Sequence, residues 1–157
     1  MKVLMPKLPL KGGCQCGQAR YHIKAEPYVF YLCHCTECQR QTSSAFGESL
    51  RVRSDSLTVE GDLKSFRRVS DSGKTREGYF CGACGVRVIH GTVGADMVNV
   101  KAGTLDDASW LAPAGHIWTR SRQAFICIGA DEIAYETQPQ DGYAALAVRW
   151  REMLAAK

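Results

Sequence analysis

The chain has 157 residues, of which 45% are hydrophobic and 23% are charged. This composition is typical of one globular domain, and no apolar stretch approaches the roughly 18 residues that a membrane span needs, so we expect no membrane partner. The net charge of +4, from 20 basic and 16 acidic residues, does not require a nucleic-acid partner.

The N-terminal sequence does not resemble a signal peptide. Lys2 is followed by Pro6, Lys7 and Pro9 before an apolar core of sufficient length develops. We therefore expect a cytoplasmic protein. In that compartment thiols stay reduced, and clustered cysteines hold metal more often than they form disulfides.

Short strands make up most of the predicted structure. Residues 18–23 alternate apolar Ala19, Tyr21 and Ile23 with polar neighbours, as a half-buried strand does. The sequence predicts a single, mainly β domain that spans residues 1–157. Similar runs, separated by turn residues, predict strands at 28–32, 45–52, 57–60, 63–69, 78–80, 86–90, 97–100 and 124–128.

Two helices are predicted. Thr36-Glu37-Cys38-Gln39 fits a capping box, so a short helix is expected to begin at Thr36. A C-terminal helix is expected at about 142–156, with Asp141 as its N-cap. Its apolar stripe should pack on the body of the domain or, alternatively, on a second copy in a homodimer. The stripe comprises Tyr143, Leu146, Ala147, Trp150, Met153 and Leu154.

Two cysteine pairs predict a closed metal site. Cys14-Gln-Cys16 and Cys81-Gly-Ala-Cys84 are each followed by glycine, which lets backbone N–H groups approach the sulfurs. Four thiolates saturate tetrahedral zinc, so this site is expected to be structural.

A cysteine triplet predicts a different kind of site. Cys33-His-Cys35-Thr-Glu-Cys38 supplies three ligands, and the remaining Cys127 lies in a segment that reads as a buried strand. The fourth position is then open to substrate. Alternatively it is closed by a histidine, or the triplet is a redox or metal-free site. The candidate histidines are His22, His34, His90 and His116.

An open site with three thiolates limits the chemistry. Three thiolates leave zinc a weak Lewis acid, better suited to binding an incoming thiol as thiolate than to making hydroxide. A carbonyl electrophile beside that sulfur would form a carbon–sulfur bond, and its oxygen would need a proton donor. His34 and His116 are the candidate donors.

Several segments together resemble those of one enzyme family. They are Gly13-Cys14-Gln15-Cys16-Gly17 with Tyr21, Cys33 to Arg40, Phe80 to Gly85, Gly103 to Asp107, Pro113 and His116-Ile117. Over about residues 11–139 the chain is similar to the glutathione-dependent formaldehyde-activating enzymes, whose domain also occurs in a chromosome-associated protein. One difference is that relatives commonly carry glycine where this chain has Ser43-Ser44.

The resemblance implies a fold and an activity. The fold is an Mss4-like, zinc-bound assembly of β-sheets, with the C-terminal helix predicted above. Two zincs per chain are implied: a structural zinc on the two pairs and a catalytic zinc on the triplet. The implied activity is that of a carbon–sulfur lyase that forms or cleaves S-hydroxymethylglutathione, with glutathione and formaldehyde as partners.

The alternative function is a binding module in which both zincs are structural. A β-surface would then recognise a protein or a nucleic acid. The weak net charge disfavours nucleic acid. The basic stretch to test comprises Arg51, Arg53, Lys64, Arg67, Arg68, Lys74 and Arg76.

Overall fold

A computed structural model describes residues 1–154 and confirms the mainly β fold with a C-terminal helix. The helices are α1 (Thr36–Thr42) and α2 (Ala144–Leu154). Short 3-10 turns occur at Ser54–Ser56, Ala102–Thr104 and Thr119–Ser121. The strands are β1 (Leu10–Gly13), β2 (Arg20–Ile23), β3 (Val29–Cys33), β4 (Gly47–Arg53), β5 (Leu57–Glu60), β6 (Leu63–Val69), β7 (Thr75–Cys81), β8 (Arg87–Thr92), β9 (Met97–Lys101), β10 (Gly115–Ile117) and β11 (Ile133–Ala134).

The first of two compact units comprises residues 1–5, 28–49 and 110–154. Its strand order is β11-β10-β3, followed by the first residues of β4. β10 runs parallel to both of its neighbours, with Ile117 opposite Cys33. The core of this unit forms where α2 buries Trp150 against the rings of Phe30 and Trp110.

The second unit comprises residues 6–27 and 50–109. One sheet has the order β1-β2-β5, and the end of β4 begins a second sheet that continues β9-β8-β7-β6. Strands β6 to β9 are antiparallel neighbours. Tyr21, Ile23, Val52 and Val100 are completely buried, because alternate residues of these strands face the interior.

Helix α1 begins where the sequence predicts but is capped differently. The N-cap is Cys35, whose sulfur accepts a hydrogen bond from the N–H of Cys38 at 3.3 Å. Thr36 is therefore the first helical residue and does not act as the cap. The N-terminus of α1 therefore contains two of the three cysteines of the triplet, Cys35 as the N-cap and Cys38 in the first turn.

Helix α2 matches its predicted amphipathic pattern. Asp141 accepts hydrogen bonds from the N–H groups of Tyr143 and Ala145, as expected of a capping residue. The expected helix also included Ala155 and Ala156, which lie outside the described residues. The stripe packs within its own unit through its buried members, Leu146, Ala147, Trp150 and Met153.

One strand prediction was wrong and three strands were missed. Residues 124–128 form a turn and a loop, in which Phe125 is 71% exposed. β1, β10 and β11 have only two to four residues each. Such short segments show little periodicity, and β10 and β11 form only through pairing with distant parts of the chain.

Within residues 1–154, every helix is too short or too polar to cross a membrane.

Candidate metal centres

The two cysteine pairs meet at one point of the second unit. The sulfurs of Cys14, Cys16, Cys81 and Cys84, here called the first sulfur cluster, all lie within 4.8 Å of one another. The Cys14 and Cys16 sulfurs are 3.6 Å apart, and those of Cys16 and Cys81 are 3.7 Å apart. The sequence-predicted members are therefore brought together, although 64 residues separate the pairs in the chain.

Both pairs sit on turns of the same design. The N–H of Cys14 donates to the carbonyl of Ala19 at 2.9 Å, and the N–H of Cys81 donates to that of Val86 at 3.0 Å. Each turn therefore closes on the first cysteine of its pair. This fixes the backbone so that both sulfurs of a pair point to the same side.

Glycines and backbone N–H groups prepare these turns for thiolates. Gly17 and Gly85 have φ of 81° and 78°, a region that residues with a Cβ adopt at a cost. The N–H of Ala19 donates to the Cys14 sulfur at 3.2 Å and lowers the pKa of that thiol. Backbone N–H groups also lower the pKa of Cys84, to about 6. Deprotonated sulfurs are the form that binds metal.

The first sulfur cluster fits zinc. Four sulfurs placed tetrahedrally, each about 2.3 Å from one ion, are separated by about 3.8 Å. The observed separations of 3.6 and 3.7 Å agree with that spacing. Because these distances are close to van der Waals contact between sulfurs, four protonated thiols would have little reason to converge in this way.

The triplet forms a separate cluster in the first unit. The sulfurs of Cys33, Cys35 and Cys38, here called the second sulfur cluster, lie within 4.8 Å of one another. Cys33 ends β3, and the other two lie at the start of α1. Hydrogen bonds from the neighbouring thiols and from the Cys38 N–H lower the pKa of Cys35 far below its usual range. Three converging sulfurs with a favoured thiolate fit zinc or a similar soft cation.

No fourth ligand from the described residues completes the second sulfur cluster. Among residues 1–154, no further histidine, cysteine or acidic side chain has an atom grouped with these three sulfurs. The four candidate histidines are therefore not placed as ligands in this conformation. A metal held here would have one coordination position left for another molecule.

The two predicted proton donors lie side by side. Nε2 of His34 is 2.9 Å from Nδ1 of His116, and the two rings are stacked with their centroids 5.1 Å apart. Both side chains are buried, with 0% and 4% exposure. The pairing arises because His34 follows β3 and His116 lies on β10, its parallel neighbour.

Burial keeps both imidazoles neutral near pH 7. Desolvation, followed by the neighbouring His116 and Arg122, lowers the pKa of His34 to about 4. Desolvation also lowers the pKa of His116, although Glu132 opposes this shift from 3.7 Å away. Glu132 was not predicted, because no pattern connects it with His116, 16 residues earlier in the chain.

A polar cavity of about 450 Å³ lies along α1. Gln39 helps to form its wall: its amide donates to the carbonyls of His34 and Ser121, at 2.8 and 2.9 Å. Gln39 was expected only to complete a capping box with Thr36, and its contacts to the loop at Ser121 depend on the tertiary structure. The remaining lining residues are Thr36, Arg40, Ser43, Ser44, Ala45 and Gln123.

Cys127 lies apart from both sulfur clusters. It is exposed, whereas the sequence predicted a buried strand residue. The error follows from the apolar run around it, which resembles a core strand but forms a loop. Cys127 therefore provides a control for substitutions in the clusters.

A sequence model of the glutathione-dependent formaldehyde-activating enzymes matches residues 9–121, which include all seven clustered cysteines. The chain belongs to this family. The resemblance read from the cysteine motifs is thereby confirmed. No curated protein matches the chain.

One solved structure is similar in fold. It is the crystal structure of a Rhodobacter sphaeroides protein, which matches with a TM-score of 0.52 and 18% sequence identity. The match covers 80% of this chain and 99% of the other. At this identity the likeness shows a shared fold.

Proposed function

We propose that the protein is a carbon–sulfur lyase that forms or cleaves the adduct of a small thiol with a carbonyl compound. S-hydroxymethylglutathione is the first substrate to test, since the family name specifies glutathione and formaldehyde. The observation that carries the proposal is the second sulfur cluster, with three ligands and no fourth among the described residues.

Cys33, Cys35 and Cys38 would hold the catalytic zinc, and the first sulfur cluster would hold a structural one. Zinc bound by three thiolates supplies a position that favours the thiolate form of an incoming thiol. The role of the protein is to keep this position accessible and to bring the carbonyl compound beside the thiol sulfur.

The histidine pair would supply the proton. In adduct formation the thiol sulfur bonds to the carbonyl carbon, the C=O π bond breaks, and the oxygen takes a proton; cleavage reverses each step. Nδ1 of His34 is buried without a hydrogen-bond partner in the described chain. In the tautomer with Nδ1 of His116 as donor to Nε2 of His34, the proton of His34 is on Nδ1 and can be donated. In the opposite tautomer, with the proton of His116 on Nε2 toward Glu132, Nδ1 of His34 would accept the proton released in cleavage.

The cavity along α1 supports a small, polar thiol. Its lining includes Arg40, which carries a guanidinium, and Thr36 and Ser43, which carry hydroxyls. These groups suit the carboxylates and amides of a peptide-like thiol such as glutathione. A large apolar thiol would leave them unpaired at a cost in free energy.

The proposal is tested by exchange NMR with ¹³C-formaldehyde and glutathione. The zinc-loaded protein should accelerate exchange between free formaldehyde and its adduct in proportion to protein concentration. The Cys35→Ser variant should lose this effect, and the matched Cys127→Ser variant should keep it. Exchange no faster with any of the three proteins than without protein would exclude the lyase and favour the binding-module alternative.

The cellular location and the oligomeric state remain predictions. A cytoplasmic location suits seven clustered thiols that must stay reduced. A homodimer would need a surface other than the α2 stripe, because Leu146, Ala147, Trp150 and Met153 are already buried within their own unit. Size-exclusion chromatography with light scattering tests the dimer.

A further inference from the structure

One face of the β6–β9 sheet places polar and aromatic side chains in register. Phe66 of β6 lies opposite Gly78 of β7, Gly78 lies opposite His90 of β8, and His90 lies opposite Asn99 of β9. Paired residues point to the same side of a sheet. This row of Phe66, Gly78, His90 and Asn99 therefore crosses one face, here called the basic face.

Cations flank this row on both sides. Arg68 and Arg76 are paired with each other, two residues along the strands from Phe66 and Gly78. Lys101 lies two residues from Asn99 on β9, and is only 5% exposed. Because side chains two residues apart in a strand share a face, these cations belong to the basic face.

Arg87 reaches over the middle of the row. A Cβ built on Gly78 would lie 1.5 Å from Nη1 of Arg87, so the guanidinium covers the space that a side chain would fill. Gly78 thus allows Arg87 to lie flat on the sheet beside His90. Arg76 is held at the adjacent position by its hydrogen bond to the hydroxyl of Thr92, at 2.5 Å.

His90 lies at the centre of these cations. Its Nδ1 is buried and has no hydrogen-bond partner among the described residues. Burial, followed by Lys101 and the arginines at 87, 76 and 68, holds the pKa of His90 well below its usual range. A neutral imidazole among these cations adds no further positive charge to the basic face.

The basic stretch read from the sequence does not form one surface. Arg67 points to the opposite face, where its Nε is 2.9 Å from the buried carboxylate of Glu77. Arg53 forms an ion pair with Asp55 at 2.6 Å. The convergence around His90 therefore arises from strand register and not from the density of basic residues along the chain.

We propose that the basic face binds the oxyanion group of a small molecule, a carboxylate or a phosphate, through Arg68, Arg76 and Arg87, which surround the buried His90. Guanidinium groups match the geometry of both oxyanions. The recessed position of Lys101, Asn99 and the His90 nitrogen favours a compact group over a polymer that spreads across a flat surface. This proposal does not depend on the proposed lyase activity.

The test is isothermal titration of the full-length, zinc-loaded protein at low ionic strength, with inorganic phosphate and with succinate as probes. Saturable binding of at least one probe is expected. Arg76→Gln should weaken it about tenfold or more, since hydrogen bonds to charged groups contribute on that scale. Arg67→Gln is the matched control on the opposite face, and should bind within about twofold of the parent chain.

A second measurement locates the bound probe. In a sample with ¹⁵N-labelled histidine, the Nδ1 resonance of His90 should shift on titration. The Cys35→Ser variant should still bind, which separates this site from the second sulfur cluster. If Arg76→Gln fails to fold by circular dichroism, Arg68→Gln replaces it.

Each outcome decides the proposal. Tighter phosphate binding assigns the site to phosphorylated compounds, and tighter succinate binding assigns it to carboxylates. Absence of saturable binding, equal weakening by Arg76→Gln and Arg67→Gln, or loss of binding in Cys35→Ser would overturn it. An oligonucleotide that binds more tightly than either probe and weakens equally in both arginine variants would show a diffuse charge effect instead.

Discussion

Ser43 ends α1 in a backbone conformation that favours glycine. Its φ and ψ are 51° and 39°, and its N–H donates to the carbonyl of Gln39. A left-handed conformation costs a residue with a Cβ about 1–2 kcal/mol, whereas glycine adopts it freely. The glycine that relatives commonly carry after the triplet helix therefore has a structural reason.

We expect Ser43→Gly to raise the free energy of unfolding by about 1 kcal/mol, after allowing for the greater freedom of glycine in the unfolded chain. Urea unfolding of the zinc-loaded protein measures this. Ser44→Gly is the matched control and should be neutral or destabilising, since Ser44 has no positive φ. A larger gain from Ser44→Gly than from Ser43→Gly would contradict the strain argument.

His90 makes stability depend on pH. Burial holds its pKa well below 6.5 in the folded chain, so below about pH 6.5 the unfolded chain binds a proton that the folded chain does not. The contribution of His90 to the free energy of unfolding is constant above about pH 6.5. As the pH falls below that value, it lowers the free energy of unfolding by up to about 1.4 kcal/mol per pH unit.

We expect the stability difference between the parent chain and His90→Gln to shift in favour of the variant as the pH falls from about 7.5 to 5. The measurement is urea unfolding at several pH values. Taking the difference between the two proteins cancels proton uptake by the other groups. A difference independent of pH would show that His90 has the same pKa in the folded and unfolded chains.

At the scale of elements, α2 stabilises the first unit through one large side chain. Trp150 is completely buried, with its ring centroid 6.2 Å from that of Phe30 and 6.0 Å from that of Trp110. Truncation of Trp150 should leave a cavity, because the neighbouring rings of Phe30 and Trp110 cannot easily fill the space that its side chain occupies.

We expect Trp150→Ala to lower the free energy of unfolding by about 3–5 kcal/mol. Val148→Ala, at a position that is 47% exposed on the same helix, should change it by less than about 0.5 kcal/mol. Thermal and urea unfolding provide the comparison. A loss in Trp150→Ala as small as that in Val148→Ala would mean that the packing of Trp150 contributes little to stability.

Strand prediction succeeded where turn residues mark both ends of a strand. β5 and β6 have the bounds expected, because turn residues flank their apolar and β-branched residues. β10 has three residues and forms only through parallel pairing with β11 and with β3, where His116 lies opposite Leu32. Sequence periodicity therefore did not predict β10, the strand that brings His116 to His34.

At the scale of the whole molecule, the two sulfur clusters predict two zincs per chain. Native mass spectrometry should count two zincs in the parent chain and one in Cys35→Ser, since the clusters share no residue. Cys127→Ser should keep both. A single zinc that persists in Cys35→Ser would mean that the second sulfur cluster does not hold metal.

The two units are interleaved along the chain, so we predict that they unfold as a single domain. Each unit is assembled from segments that the other interrupts. One of the boundaries between them, at residues 49 and 50, falls within β4. Differential scanning calorimetry of the zinc-loaded protein should give one transition with equal calorimetric and van't Hoff enthalpies. Two resolved transitions would contradict the single-domain prediction.

The sequence by itself identified the cysteine clusters, the family and the mainly β fold, because closely spaced cysteines and alternating strands are local patterns. Tertiary structure decided how these parts are used. Pairing of β3 with β10 joins His34 to His116, and the register of β6 to β9 gathers cations around His90. It also placed Cys127 on the surface. These features depend on contacts between residues far apart in the chain, which local sequence patterns do not predict.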